Sequence, residues 1–526
     1  MEIDTLRKEI DQIDRQIIDL FCQRMDVAAR VADYKKQRGL PVLVPAREEA
    51  KLRDVAEIAG PKMASYTQEL FRSLFSLSRA YQADRNEASL VCGLLGQKLG
   101  HSYSPAIHQM LGKYSYRLME VPPQELEAFL EKGAFSGINV TIPYKKAVLP
   151  YCKTLSQQAK LLGSVNTIIR QTDGSLYGDN TDYYGFSKML RRSGLDVGGK
   201  KVLVLGSGGA SATVQAVLHQ AGAQVVVISR QGENNYGNLH LHQDAYALVN
   251  TTPVGMYPHN GQSPVDLMKL PNLKGVLDLI YNPARTALLL QAQQLGLVTE
   301  NGLYMLVAQA KKAAELFTGR AIADSVLDSI YARLSCNMEN IVLIGMPGCG
   351  KSSIAAALGD LLGREVADSD ALIEEMAGMP IPEIFSRQGE DAFRELETQA
   401  LQKLCARSGI IIATGGGCVK REENWSILRQ NSKIYWIIRD LELLPLKGRP
   451  ISQQTGVQEL FAQRKPLYEA LANHAVDNNT TVWEAAQIIA QKHTCLQNHS
   501  TPFLIYGNLF CFVHQSFPNT LIAEFI

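Results

Sequence analysis

The sequence predicts a multidomain chain, with an all-α helical domain at the N-terminus followed by two α/β domains. Three observations carry that prediction. At about 150 residues per domain, 526 residues correspond to roughly three and a half domains. Roughly the first 80 residues place apolar side chains only at helical spacing. From Ser89 onward, short β-rich runs alternate with helical stretches, the grammar of parallel sheets. Composition agrees: 46% hydrophobic and 20% charged residues, with 41 Gly and 21 Pro, exclude a disordered, collagen-like or coiled-coil chain.

The first helix is read from Ile3, Leu6, Ile10, Ile13, Ile17 and Leu20, which form one stripe. It runs to about Arg38, where Gly39 and Pro41 stop it. A second helix starts near Ala46 and a third spans about Ser65 to Gln82. ADRNEA (Ala83–Ala88) reads as a linker. Strand-like runs LVCGLLG, KVLVLG and QVVVIS then alternate with helices to about Leu334, and SCNM (Ser335–Met338) reads as a second linker. ENIVLIG opens the last domain at Glu339, which extends to about His493. The expected division is 1–83, 89–334 and 339–494, with an unassigned aromatic-rich tail over 495–526.

Charge and cysteine usage narrow the partners. Lys+Arg number 53 and Asp+Glu 52, so a net charge of +1 gives no footprint for nucleic acid or an anionic membrane. No apolar run reaches the roughly 18 residues of a membrane span, and the N-terminus is charged from Glu2. Nine cysteines, an odd number without C-x-x-C, fit reduced thiols better than a disulfide framework. A cytoplasmic protein acting on small molecules is expected.

The sharpest motif is GMPGCGKS, Gly345 to Ser352, between the apolar strand NIVLI and the helix-like SIAAALGDLLG. A G-x-x-x-x-G-K-[ST] loop in that context cradles a nucleoside triphosphate. Backbone N–H groups around Gly348, Cys349 and Gly350, with Ser353 at the helix start, face phosphate oxygens. Lys351 reaches the β/γ-phosphates and the Ser352 hydroxyl is a Mg2+ ligand. Downstream, Asp368-Ser369-Asp370 lies at a strand end, Phe393-Arg394-Glu395 on a helix, and Ala413-Thr414-Gly415-Gly416-Gly417 after the strand GIII, as a tight backbone approach to a ligand requires. Arg for a carboxylate and Asp for hydroxyls suit a small hydroxylated acid. With Arg449-Pro450 and Arg464-Lys465-Pro466-Leu467-Tyr468, about 155 residues resemble shikimate kinase. The resemblance implies Asp370 on the acceptor hydroxyl, Arg394 and Arg464 on its carboxylate, Gly416 and Gly417 lining the pocket, and Arg449 in a lid over ATP.

In the middle domain, KVLVLG leads into Gly206-Ser207-Gly208-Gly209-Ala210-Ser211, a variant dinucleotide loop. The next strand ends at Ser229-Arg230, where a cation for a 2′-phosphate favours NADP over NAD. Before the loop stand Ser102-Tyr103-Ser104-Pro105, Asn139-Val140-Thr141-Ile142-Pro143-Tyr144-Lys145, Val165-Asn166-Thr167 and Gly178-Asp179-Asn180-Thr181-Asp182. Hydroxyls and amides for a polyol, plus one Lys and one Asp for proton transfer, are what carbonyl reduction needs. The set resembles shikimate dehydrogenase over about 245 residues, including Tyr281 and MLVAQA with Gln309. That resemblance implies a two-lobed α/β fold with a Rossmann-like cofactor lobe and a Lys145–Asp182 catalytic pair. It also implies substrate contacts from Ser102, Ser104, Thr141, Asn166, Tyr281 and Gln309, with Gly206–Ala210 and Gly302 on NADP(H). Only about twenty residues separate Arg230 from Asn250, so the cofactor lobe is trimmed there.

The N-terminal helices carry cations within an apolar pattern. Arg24 and Lys35 are 11 apart, about 20° in phase, and share a face; Ser78 and Gln82 are i,i+4 neighbours. A cationic pocket in a helical bundle suits a dicarboxylate. With LRKEID and FRSLFSLSRAYQ, about 80 residues resemble the all-helical chorismate mutases. The resemblance implies that Arg7, Arg24, Arg47, Glu48 and Ser78 bind substrate and that Lys35 and Gln82 stabilise the breaking ether bond. Arg7 and Arg24 are 17 apart, about 25 Å along one helix, so one small substrate cannot meet both from one chain. A homodimer with shared sites is expected.

The combined reading is a three-enzyme fusion acting on chorismate, 3-dehydroshikimate and shikimate with NADPH, ATP and Mg2+. Two alternatives stand at this point: a quinate/shikimate dehydrogenase joined to another small-molecule kinase, and a regulatory scaffold with catalytically weak domains.

Overall fold

The computed structural model describes residues 3–38, 45–100, 102–258, 260–444 and 456–493. The chain divides into two compact units: Met1–Thr251 with Asn272–Lys274 and Tyr304–Ile330, and Thr252–Pro271 with Gly275–Leu303 and Tyr331–Ile526.

The first unit opens with helices α1 (Ile3–Gln37), α2 (Pro45–Ala59) and α3 (Ala64–Ala88). Met25, Ala29 and Ala32 bury one end of α1, and Val55 anchors α2. The rest of the α1 stripe is exposed: Ile10 is 57%, Ile13 54%, Ile17 57% and Leu20 64% accessible. Helix α3 continues through Ala83–Ala88, where a linker was expected. ADRNEA contains good helix formers and neither Gly nor Pro, so nothing there stops the helix. Its last turn is held by Glu87, which is buried, accepts the Lys113 N–H at 2.7 Å and pairs with Arg320 at 3.3 Å.

Six strands follow: β1 (Val91–Gly96), β2 (Ser115–Glu120), β3 (Gly137–Val140), β4 (Thr154–Leu155), β5 (Thr167–Arg170) and β6 (Leu176–Asp179). They form one mixed sheet in the order β2-β1-β3-β5-β6-β4. β1 is parallel to β2 and β3, while β3–β5 and β5–β6 are antiparallel. Leu95, Ile138, Val140 and Ile168 fill its core. Strands β7 (Lys201–Leu205), β8 (Gln224–Ile228) and β9 (Ala247–Asn250) complete the unit's strands, β7 pairing in parallel with both others. Val202 to Leu205 are all buried, the continuous apolar run of a strand covered on both faces.

In the second unit β10 (Gly275–Asp278) and β11 (Val298–Asn301) pair in parallel. β12 (Asn340–Ile344), β13 (Val366–Asp368), β14 (Ile411–Ala413), β15 (Ser432–Ile438) and β16 (His474–Asp477) form an all-parallel sheet in the order β13-β14-β12-β15-β16. Ser335–Met338, also expected as a linker, is the last turn of the helix Asp324–Met338. Arg364 donates to its Cys336 carbonyl at 2.7 Å and to Glu339 O at 2.9 Å, capping that end from a distant segment.

Candidate active sites

In an open parallel sheet ligands bind beyond the carboxyl ends of the strands, and the phosphate loop leaves β12 at that end. Gly348 (φ +86°) and Gly350 (φ +97°) take backbone angles that side chains disfavour, and the loop closes onto the helix Lys351–Leu362. Lys351 is buried, and its Nζ donates to Gly345 O at 2.9 Å and Met346 O at 3.0 Å. Ser352 Oγ donates to Asp368 Oδ2 at 2.8 Å. This hydroxyl–carboxylate pair is an oxygen donor set fitting Mg2+ that keeps phosphate and water ligands.

A cavity of about 620 Å3 joins this loop to Asp370, Arg394, Glu397 and Arg464. Arg394 is almost fully buried; it donates to Glu397 Oε2 at 2.8 Å and to Glu390 Oε1 at 3.1 and 3.2 Å. Its carboxylate neighbours outweigh burial and hold it charged, with its pKa raised. Glu397 and Asp370 are both shifted up, chiefly by burial, and each is further raised by a nearby carboxylate, Asp370 on Glu397 and Asp368 on Asp370. Asp370 Oδ1, Glu397 Oε1 and Arg464 Nε are buried without a partner among the described residues. Two unused acceptors and one unused cationic donor call for a ligand bringing hydroxyls and an anion.

The three glycines line that cavity, as expected, and each also has a packing reason. A Cβ on Gly415 would lie 2.6 Å from Asp370 Oδ1, on Gly416 2.7 Å from Pro347 Cδ, and on Gly417 2.5 Å from an Arg394 Nη. They make room for the site's own side chains. Gly416 O also accepts from Arg464 at 2.8 Å and Tyr468 at 2.5 Å. Arg449 lies outside the described residues.

In the first unit Lys145 and Asp182 meet: Nζ to Oδ2 is 2.6 Å, with side chains 35% and 19% exposed. Lys145 lies just beyond β3, and Asp182 sits in the first turn of the helix Thr181–Ser193. Asn166 Oδ1 accepts the Thr181 N–H at 2.7 Å. Gln309 Oε1 accepts from Thr181 Oγ1 at 3.4 Å, which joins Asn166, Thr181 and Gln309 in one cluster. Ser104 starts a helix, and Ser102 Oγ accepts its N–H at 3.2 Å; Thr141 follows β3.

The dinucleotide loop follows β7. A Cβ on Gly208 or Gly209 would meet nothing within 4 Å, so the loop offers open backbone at the start of the helix Gly209–Gln220, which fits a pyrophosphate. Ser207 and Ala210 are exposed beside them, and Arg230 is exposed two residues past β8. Tyr281 and Gly302 belong to the second unit. Gly302 is required by packing, because a Cβ there would fall 1.9 Å from Leu279 O.

Among the N-terminal helices Arg24 on α1 reaches α3, donating to Ser78 Oγ and to Leu74 O at 3.3 Å. Gln82 Nε2 donates to Ala28 O at 3.1 Å, and Ser78 and Gln82 are both buried. Lys35 is half-buried on α1. Glu48 pairs with Arg79 of α3, Arg47 is exposed, and Arg7 is exposed and pairs with Asp4 at 3.3 Å. Within one chain Arg7 therefore does not join the Arg24–Ser78–Gln82 group.

Family models match three stretches: chorismate mutase type II at residues 6–83, the shikimate dehydrogenase substrate-binding domain at 94–168, and shikimate kinase at 347–494. The shikimate dehydrogenase (NADP(+)) of Clostridium perfringens (strain SM101 / Type A) is 39% identical over 266 residues, covering 46% of this chain and 98% of its own length. The chain belongs to the shikimate dehydrogenase family. The shikimate dehydrogenase (NADP(+)) of Methanopyrus kandleri is 36% identical over 277 residues, covering 46% of this chain and 94% of its own. A crystal structure of a chorismate mutase/shikimate 5-dehydrogenase fusion protein from Clostridium acetobutylicum is 36% identical and covers 47% of this chain and 97% of that one, with a TM-score of 0.45. A shikimate dehydrogenase is thus flanked in one chain by a chorismate mutase and a shikimate kinase segment, so three enzyme families are joined.

The sequence reading missed Glu397, Arg79 and Arg439. Glu397 lies three residues from Arg394, one helical turn, and that spacing was visible. Arg439 lines the phosphate-loop cavity, and its Nε is buried without a partner among the described residues. Its strand-end position carries no motif.

Proposed function

We propose that the chain rearranges chorismate to prephenate, reduces 3-dehydroshikimate to shikimate, and phosphorylates shikimate to its 3-phosphate, with domains over 1–83, 89–334 and 339–494. NADPH supplies the hydride when bound, and MgATP the phosphoryl group. The observation that carries the kinase reading is the unpaired set Asp370 Oδ1, Glu397 Oε1 and Arg464 Nε in one cavity with the phosphate loop. Asp370 accepts the proton of the acceptor hydroxyl, while Arg394 and Arg464 hold the acid's carboxylate. In the reductase Lys145 gives the proton to the carbonyl oxygen and Asp182 keeps its ammonium in place, as their 2.6 Å contact supports. Asn166, Gln309, Ser102, Ser104 and Thr141 orient the hydroxylated ring, and Arg230 pairs with the 2′-phosphate.

In the mutase no side chain attacks the substrate. Arg24, Arg47 and Ser78 hold a compact conformer, and Lys35 and Gln82 stabilise the ether oxygen as the bond breaks. The exposed α1 stripe and the separation of Arg7 from Arg24 support a homodimer in which Arg7 completes the partner's site. Among the described residues no helix is long and apolar enough to cross a membrane, and the cysteines are free thiols, which supports a cytoplasmic enzyme.

The deciding experiment is product analysis of the purified chain given 3-dehydroshikimate, NADPH and MgATP, with chorismate in parallel. Shikimate 3-phosphate and prephenate are expected; shikimate bound but never phosphorylated defeats the kinase assignment. Mixing Arg7→Ala and Arg24→Ala chains tests the dimer. About half the dimers are mixed, each with one intact site, so about a quarter of the mutase activity returns. No recovery after verified subunit exchange rejects shared sites.

A further inference from the structure

One group of contacts in the second unit serves neither phosphate binding nor the acceptor pocket. It joins Tyr257, Asn260, Ala284 and Arg285 to the helix Glu422–Asn431, the start of β15, Cys405 and Glu339. Arg285 is at its centre. Its backbone N–H donates to Gln430 O at 2.8 Å, its Nε to Arg429 O at 2.6 Å, and one Nη to Ser432 O at 2.8 Å and Glu339 Oε1 at 3.4 Å. Around it the Ala284 N–H donates to Asn431 Oδ1 at 3.4 Å, Asn260 Nδ2 to Gln430 Oε1 at 2.7 Å, and the Tyr257 hydroxyl to Cys405 O at 2.8 Å. The helix Ala287–Gln294 packs on the helix Glu422–Asn431, and Gln430, Asn431 and Ser432 are all buried.

The last carbonyls of a helix have no intrahelical partner and carry the negative end of its dipole. Helices usually satisfy them with a following glycine or a nearby cation. This helix ends in Arg429-Gln430-Asn431 without a glycine, and the cation that caps it comes from 144 residues earlier in the chain. The Arg285 fork spans two of these carbonyls and the carboxylate of Glu339, a planar fit that Lys cannot reproduce.

We propose that this is a built docking surface by which the kinase domain is latched to residues 252–271 and 275–303 of the dehydrogenase through Arg285, so that the two unfold as one body. The docking stands on the contacts above. Its further consequence, that NADP(H) binding stabilises the kinase, rests on the proposed reductase function, because those residues include Gly302, expected on NADP(H).

All three tryptophans, Trp425, Trp436 and Trp483, lie in the kinase domain, so their fluorescence reports its unfolding in the intact chain. Saturating NADP+ should raise the tryptophan-detected melting midpoint by about 4 °C or more, and Arg285→Ala should remove that rise. In the same variant, hydrogen exchange over 282–290 and 424–434 should quicken about tenfold. Tyr257→Phe, which deletes one contact and leaves the fold intact, should give a smaller change in the same direction. A midpoint indifferent to NADP+ that is demonstrably bound overturns the proposal, as does unchanged exchange in both segments of Arg285→Ala. If NADP+ does not bind, the reductase reading fails, and the exchange measurement alone decides the docking.

Discussion

Gly417→Ala separates the shape of the kinase pocket from its chemistry. Gly417 has φ −105° and ψ 0°, so alanine fits the backbone without strain. The added Cβ would stand 2.5 Å from an Arg394 Nη, where ordinary contact begins near 3.4 Å, so the guanidinium must retreat by about 1 Å. Arg394 cannot yield freely, because Glu390 and Glu397 hold it from two sides. A retreat of that size forfeits one charge-assisted hydrogen bond to the acceptor's carboxylate, about 1.5–3 kcal/mol, or roughly 10- to 140-fold in kcat/KM for shikimate. ADP release measured against shikimate concentration reads this effect. The KM for ATP should stay within about twofold, and NADPH oxidation by the same preparation serves as the control. Unchanged kcat/KM for shikimate in a folded variant would show that Arg394 does not hold the carboxylate.

Asp370→Asn should abolish phosphorylation yet raise the kinase melting midpoint at pH 7.5. Burial and Asp368 lift the Asp370 pKa, so its stabilising contribution is present in acid and lost as pH rises through the raised value. The gain from Asn should therefore shrink to nothing towards about pH 4, and a gain that grows in acid contradicts it. Lys145→Ala should remove 3-dehydroshikimate reduction while shikimate phosphorylation stays within about twofold, and loss of both activities in a folded protein would deny separate sites. Arg230→Ala should erode a 10- to 100-fold preference for NADPH over NADH; equal use of both cofactors by the unmodified chain counts against the arginine's role.

The sequence was most legible where backbone chemistry is local. The phosphate loop, the alternation of strands and helices, and the apolar stripe of α1 follow from spacing alone, and the Lys145–Asp182 contact matches the pairing expected from resemblance. It was least legible where a residue's reason lies far along the chain. Ala83–Ala88 and Ser335–Met338 looked like linkers because they separate two grammars, yet both continue a helix. Gly415, Gly416 and Gly417 line the cavity as expected, but their second reason, the room they leave for Asp370, Pro347 and Arg394, appears only once the fold brings those residues near. Glu397 is one more acid on a charged helix until its burial beside Arg394 and Asp370 is known.

The unbroken passage of α3 into the dehydrogenase has an evolutionary consequence. Only Ser89 and Leu90 separate its last residue, Ala88, from β1, and Glu87 locks the final turn to Lys113 and Arg320. Such a joint behaves like a keyed shaft. Each residue inserted into it turns everything upstream by about 100° and lifts it by about 1.5 Å. Length changes at this junction are therefore graded by phase. Seven residues, close to two full turns, nearly restore the original bearing, whereas two residues point the N-terminal helices to the opposite side. Among chains built on the same joint, insertions within the last turns of α3 should cluster at multiples of a turn, a signature that a flexible tether would not leave.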